Sequence, residues 1–186
     1  MIARARPLVL VGLLALAAGD VALVSAPAHA DVLATITCQG WTYTTYSPGL
    51  TDTVGTTTVV DQGFYNEITP ESPTGACLAV DSAATAGQRN VTATLDLSCN
   101  AILTETGVET IDWNDDQSTS FTFTAEAAHV GSNTVLTETG TVTAGEFLGH
   151  HVVETFTAPN LDFAACDTAA GVTSLDYADL LEILPL

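Results

Sequence analysis

From Val91 to Cys99 the odd-numbered positions read Val, Ala, Leu, Leu and Cys, while the even ones read Thr, Thr, Asp and Ser. A period of two with one apolar and one polar face belongs to a half-buried β-strand, and threonine suits the wet positions because β-branched side chains pack well on a pleated surface. The same alternation returns at Phe121, Phe123, Ala125 and Ala127, with Thr122, Thr124 and Glu126 between them. Beyond the first thirty residues a 3.6-residue period is suggested only for a short turn near Leu175 to Leu181. Turn signals at Ser47-Pro48-Gly49, Asn114-Asp115-Asp116, Gly131-Ser132-Asn133 and Ala144-Gly145 cut the chain at intervals typical of antiparallel sheets. Strands are expected near 32–46, 52–66, 90–99, 106–113, 117–129, 134–143, 147–157 and 179–184, with irregular stretches at 67–89 and 158–178. Eight strands without helices predict an all-β fold, an antiparallel β-sandwich (Ig-like or related), with a closed β-barrel as the alternative.

The first thirty residues are set apart from this pattern. Arg4 and Arg6, the apolar run from Leu8 to Ala18, and Ala28-His29-Ala30 before Asp31 are the charged region, apolar region and cleavage site of a secretory signal peptide. The expectation is a signal peptide over 1–30 and a single β-sandwich domain over 31–186, secreted and extracellular. All four cysteines follow the leader, so two disulfides are expected to form and persist. If successive strands run antiparallel, Cys38 and Cys77 fall at one end of the domain and Cys99 and Cys166 at the other, which favours those two pairs among three connectivities. No later segment approaches the ~20 consecutive apolar residues of a membrane helix, so no membrane insertion is expected.

Charge narrows the partners. Of the 22 acidic residues only Asp20 lies in the leader, whereas Arg4 and Arg6 are two of the 3 basic ones, leaving Arg89 as the single Lys or Arg that follows. A phosphate backbone must be met by several cations, so nucleic acid is not an expected partner, nor is an anionic membrane surface. The acids are spread along the chain and serve solubility, and like charge opposes self-association, so a monomer is expected.

Two constellations could carry chemistry. Asp112, Asn114 and Asp116 place oxygen ligands at alternate positions, as a calcium loop does, but Gln117 and Phe123 stand where an EF-hand needs Gly and Glu; a hairpin turn is the plainer reading. If Ser132-Asn133 and Ala144-Gly145 are two-residue hairpin loops, Phe123 faces Val142 and Val142 faces Phe147. Glu138 then lies beside Ala127 and His151 on the inward face. A carboxylate beside an imidazole could serve a general base, or half of a metal site completed by a residue such as His129; a polar pair filling the sheet's end is the plain alternative. There is no G-x-S-x-G elbow and no phosphate-cradling loop, and no cofactor is expected. The string Leu-Thr-Glu-Thr-Gly occurs at 103–107 and again at 136–140, as a shared hairpin solution or a chance of composition.

The order Cys38-Gln-Gly40, Tyr46-Ser-Pro-Gly-Leu50, Trp113-Asn-Asp-Asp-Gln117, Thr139-Gly-Thr-Val-Thr-Ala-Gly-Glu-Phe-Leu-Gly149 and Cys166 resembles small secreted actinobacterial β-domain proteins of unassigned function. The resemblance implies secretion and a shared β-fold, and brings no catalytic residues with it. Asp116 departs from it, standing where a Gly-like turn residue is expected. The functional expectation is a non-catalytic binding or structural protein at the cell exterior, with an extracellular protein or polymer ligand. The alternatives are a small hydrolase or metal-dependent enzyme using Glu138 and His151, and a protease inhibitor presenting the Pro-rich stretch around Cys77.

Overall fold

The computed structural model describes residues 34–65, 76–99, 104–131, 133–159 and 163–186. The leader and the Pro70 to Pro73 stretch lie outside them. Among the described residues nine strands and one short helix follow in chain order: β1 (Thr35–Leu50), β2 (Gly55–Tyr65), β3 (Ala76–Val80), β4 (Gly87–Leu97), β5 (Thr104–Trp113), β6 (Ser118–Val130), β7 (Asn133–Gly145), β8 (His151–Pro159), α1 (Phe163–Cys166) and β9 (Val172–Leu184). The strands form one antiparallel sheet in the order β2-β4-β5-β6-β7-β8-β9-β1-β3, and β2 also pairs with β1. That last pairing closes eight of the strands into a barrel.

The all-β class with two disulfides is what the chain adopts, and of the two expected architectures it takes the closed barrel in place of the sandwich. The length of β1 is the reason. At 16 residues it carries β9 along one edge and divides the other, giving Thr35–Gln39 to β3 and Gly40–Ser47 to β2. A sandwich leaves sheet edges free, whereas a strand able to pair on both sides over its length removes them.

Two elements differ from expectation. β3 lies in a stretch read as irregular, and β9 begins at Val172, so that Leu175 to Leu181 is strand with no helical turn. The alternation in β9 is disguised by an acid facing in, Asp179, and a leucine facing out, Leu180.

Inward side chains sort by height. One end of the barrel is filled by Ile36, Tyr65, Ile111, Trp113, Phe121, Phe147, Leu181 and Ile183. The other end is capped by Tyr46, Leu50, Val59, Leu97 and Val172 around the second disulfide. Cys38 is bonded to Cys77, its direct cross-strand partner, which staples β3 to β1. Cys99 is bonded to Cys166, which ties α1 to the end of β4.

The wall is not uniform. β4 pairs with β2 along its whole length, from Gly55↔Leu97 to Tyr65↔Gly87, but meets β5 only at Gly87↔Trp113 and Gln88↔Asp112. Past Gln88 the two strands part. Val91, Ala93 and Leu95 face inward beside this split and are only half-buried.

Candidate functional site

Between the two apolar ends lies a belt of buried polar groups centred on Arg89. The arginine is in phase with the apolar face of β4 and therefore points into the barrel, where its side chain is 2 % exposed. Gly63 on the neighbouring strand makes room for it, since a Cβ there would meet Arg89 Nε at 2.7 Å. Nη1 donates to Glu109 Oε2 at 2.6 Å and to Glu154 Oε2 at 3.0 Å, and Nη2 donates to Thr42 Oγ1 at 3.1 Å. The guanidinium carbon also sits 4.5 Å from the centre of the Phe156 ring. Thr42 Oγ1 donates in turn to Asp179, and Tyr65 Oη donates to Glu154 Oε1. Burial works against the charge of Arg89, and the surrounding anions, Glu154 foremost, outweigh it and hold its pKa above the ordinary value.

One guanidinium thus answers two carboxylates and leaves a third. Glu138, 5 % exposed, brings a carboxylate oxygen within 4.8 Å of oxygens of Glu109 and Glu154, yet its Oε2 has no hydrogen-bond partner among the described residues. Burial pushes Glu138 up to about 10, with the like charges of Glu109 and Glu154 adding and Arg89 opposing. Burial also raises Glu154, to about 8, and Asp179, to about 7, less steeply because in both the opposing charge of Arg89 is second only to burial, whereas for Glu138 the like charges outweigh it. Near neutral pH Glu138 is therefore a neutral acid, its counter-ion a proton. Three carboxylates at this spacing could bridge a metal ion. Arg89 already fills that role, and a divalent ion would have to bind against its guanidinium, so the donor set does not suit one.

Next to the belt the barrel is hollow. A cavity of about 140 Å³ runs from Thr42, Arg89, Glu109 and Glu138 towards the Cys99 end, walled by Val91, Ala93, Leu95, Ala125, Ala127, Leu136, Phe156 and Leu175. The space exists because inward positions on β4 and β6 carry small side chains where an eight-stranded barrel is just wide enough to be filled. Tyr46 and Tyr177, whose hydroxyls lie 3.3 Å apart, stand in the same wall. Asp61 reaches it from β2, its carboxyl raised by burial against the hydrogen bond of Thr44 and the charge of Arg89.

The expected pair of Glu138 and His151 is not formed. β6 and β7 pair in a register two residues from the expected one, Phe121↔Val142 and Ala125↔Glu138, which keeps every side chain on its face. The β7–β8 connection is longer than a two-residue loop, with Phe147 in a left-handed conformation at φ 60° and Gly149 at φ 85°. The register moves by three, an odd number, and an odd slip exchanges the faces. Glu138 consequently lies opposite Glu154, and His151 lies opposite Thr141 on the outer face. His150 is the histidine that turns inward, packing its ring against Phe147 at 6.1 Å between centroids. His129 pairs with Thr134 in the β6–β7 ladder, and its side chain lies outside the described residues.

The Asp112 to Asp116 segment is a hairpin turn. Trp113 N donates to Gln117 O, and Asp116 takes φ 66°, the left-handed conformation for which a Gly-like residue is suited. Asn114 Oδ1 accepts from Thr85 N and Ala86 N, so one of the three candidate ligands clamps backbone, and the neighbouring Asp115 Oδ1 accepts from Gln117 N within the turn. The repeated Leu-Thr-Glu-Thr-Gly strings flank β6 in equivalent register, with Gly107↔Phe123 on one side and Phe123↔Gly140 on the other. A Cβ at Gly107 would lie 2.6 Å from the Phe123 ring, so the glycine lets the ring lie flat.

Sequence reasoning passed over Arg89, Glu109, Glu154 and Asp179. Each is a charge in phase with the apolar face of its strand: Arg89 with Val91, Glu109 with Ile111, Glu154 with Val152 and Phe156, Asp179 with Leu181 and Ile183. That phase was the available signal. In comparisons with known proteins the chain matches no family model, no curated protein and no solved structure.

Proposed function

We propose that this protein is an extracellular binding module that holds one small, mainly apolar molecule inside its barrel. The observation that carries the reading is the cavity beside the Arg89 belt, walled mainly by apolar side chains and with its charged groups gathered towards one end. Such a combination is the usual composition of a small-molecule site, where apolar walls give affinity and a few polar groups fix orientation. Its size suits a single ring or a short chain, since an apolar cavity of about 150 Å³ takes up benzene. The split between β4 and β5 offers an entry that does not require the barrel to unfold. Two disulfides fit an oxidising exterior, and no helix of the described residues is long and apolar enough to cross a membrane. Secretion through the 1–30 leader, and kinship with the small secreted actinobacterial domains, belong to the same proposal.

The test is thermal melting of the oxidised protein in saturating toluene, beside an Ala93→Phe variant that fills the cavity. A ligand that binds only the native state raises the midpoint. The reading expects a saturable rise in the wild type and none in the variant. No rise, or an equal rise in both, would refute it.

A further inference from the structure

The ledger of charges inside the barrel does not close. Arg89 is the only Lys or Arg after residue 6, and its guanidinium is engaged by Glu109 and Glu154. Glu138 lines the cavity, is 5 % exposed, and presents an oxygen with no hydrogen-bond partner among the described residues. No other lysine or arginine in the 31–186 segment exists to meet it. From β2 the cavity receives Asp61, a further acid, and from β1 and β9 the hydroxyls of Thr44, Tyr46 and Tyr177. Acids therefore outnumber cations around the belt, where Asp61, Glu109, Glu138 and Glu154 surround the single guanidinium of Arg89. Over its whole length the chain carries a formal charge of −19, and a field of that sign raises the local concentration of cations and repels anions.

Resting on the reading of the barrel as a small-molecule site, we infer that its ligand is an amphipathic organic cation, a protonated amine on an apolar body of about one ring. The body lies against Val91, Ala93, Ala125 and Leu136, and the nitrogen meets Glu138. An ammonium group differs from a metal ion in the way this site needs. It brings hydrogen-bond donors to a carboxylate from the cavity side and does not require Glu109 and Glu154 to give up Arg89. Binding exchanges one cation for another: the ligand arrives as the ammonium ion, the Glu138 carboxyl ionises, and its proton leaves to solvent. The groups facing Glu138 are Glu109 from β5, Glu154 from β8, Arg89 from β4 and Asp61 from β2, with Asp179 of β9 beyond Thr42. With Arg89 already paired, the ligand supplies the missing positive charge.

Three probes of nearly one shape separate the possibilities by isothermal titration near neutral pH on the purified, oxidised protein: 2-phenylethylammonium, 2-phenylethanol and 3-phenylpropanoate. The inference expects the ammonium to bind one-to-one and at least about tenfold tighter than the alcohol, a gap of about 1.4 kcal/mol. Repeating the titration in buffers of different ionisation enthalpy should show one proton released per ammonium bound and none for the alcohol. In Glu138→Gln, which is isosteric with the neutral acid, the preference and the proton release should both vanish. In Glu126→Gln, which alters an exposed acid on the outer face, both should stay. If the three probes bind alike, if the anion binds tightest, or if the ammonium binds without releasing a proton, the cation is the wrong ligand class while the barrel remains a binding site. If none of the three binds, the small-molecule reading falls and this inference falls with it.

Discussion

Arg89 shows how one residue can set the state of a whole interior. Its Nη1 serves two carboxyl groups, Nη2 serves Thr42, and its guanidinium carbon sits over the Phe156 ring, so no smaller cation could make the same set of contacts. Removing it leaves the buried Glu109 and Glu154 without their shared donor, which is the costly way to break an ion pair. Arg89→Met should lower stability near neutral pH by about 3–5 kcal/mol, read by urea denaturation. A loss of less than about 1 kcal/mol would place the pair in the surface class and remove the belt as an organising feature. In the sequence this arginine stands in step with Val91, Ala93 and Leu95, so its inward direction was readable. Its partners were not, because Glu109 and Glu154 come from strands whose neighbours are decided only when the barrel closes.

Among the elements, β4 is the one whose two edges live differently. In an antiparallel ladder alternate amides point to opposite neighbours. Those of β4 that face β2 are paired to its far end, and those facing β5 lose their partner strand past Gln88. Hydrogen exchange should therefore alternate along Arg89–Leu97, slow then fast, while the β6–β7 ladder is protected throughout. Uniform protection along β4 would mean that the split is closed in solution, and with it the proposed entry. The second disulfide bears on the same region, because Cys99 lines the cavity and holds α1 at its rim. Breaking it by Cys99→Ser with Cys166→Ser frees a loop of 67 residues. The expected cost is about 4 kcal/mol on the chain-entropy account, measured as the fall in denaturation midpoint. Element existence was largely legible here, since Thr-rich alternation announces strands wherever one face is apolar. Register was less so. The difference between His151 and Glu154 opposite Glu138 hung on the length of the β7–β8 connection, and that length depends on Phe147 accepting a left-handed backbone to bury its ring, a tertiary demand. β3 escaped notice because five residues stapled by Cys77 need no long alternation of their own.

At the scale of the whole molecule, the interior and the surface push stability in the same direction with pH. Glu138, Glu154 and Asp179 hold their protons more tightly folded than unfolded, at about 10, 8 and 7 against ordinary values of 4.5, 4.5 and 3.8. Between each ordinary value and the raised one, unfolding releases a proton, so stability falls as pH rises through that window and is fully present below it. The surface adds to this, because the formal charge of −19 makes the folded chain repel itself until its acids begin to neutralise. The protein should thus melt higher at pH 5 than at pH 8, opposite to the acid lability of proteins held by ordinary ion pairs. Salt separates the two causes: it screens the surface repulsion and leaves the buried acids untouched. Glu138→Gln isolates the largest interior contribution. In high salt its stability should coincide with the wild type near pH 4.5 and exceed it increasingly above, by up to about 1.4 kcal/mol per pH unit for the one proton removed. Parallel curves would show that Glu138 ionises normally in the fold. A diverging pair would establish that the barrel keeps a proton on Glu138 where a counter-charge is wanting.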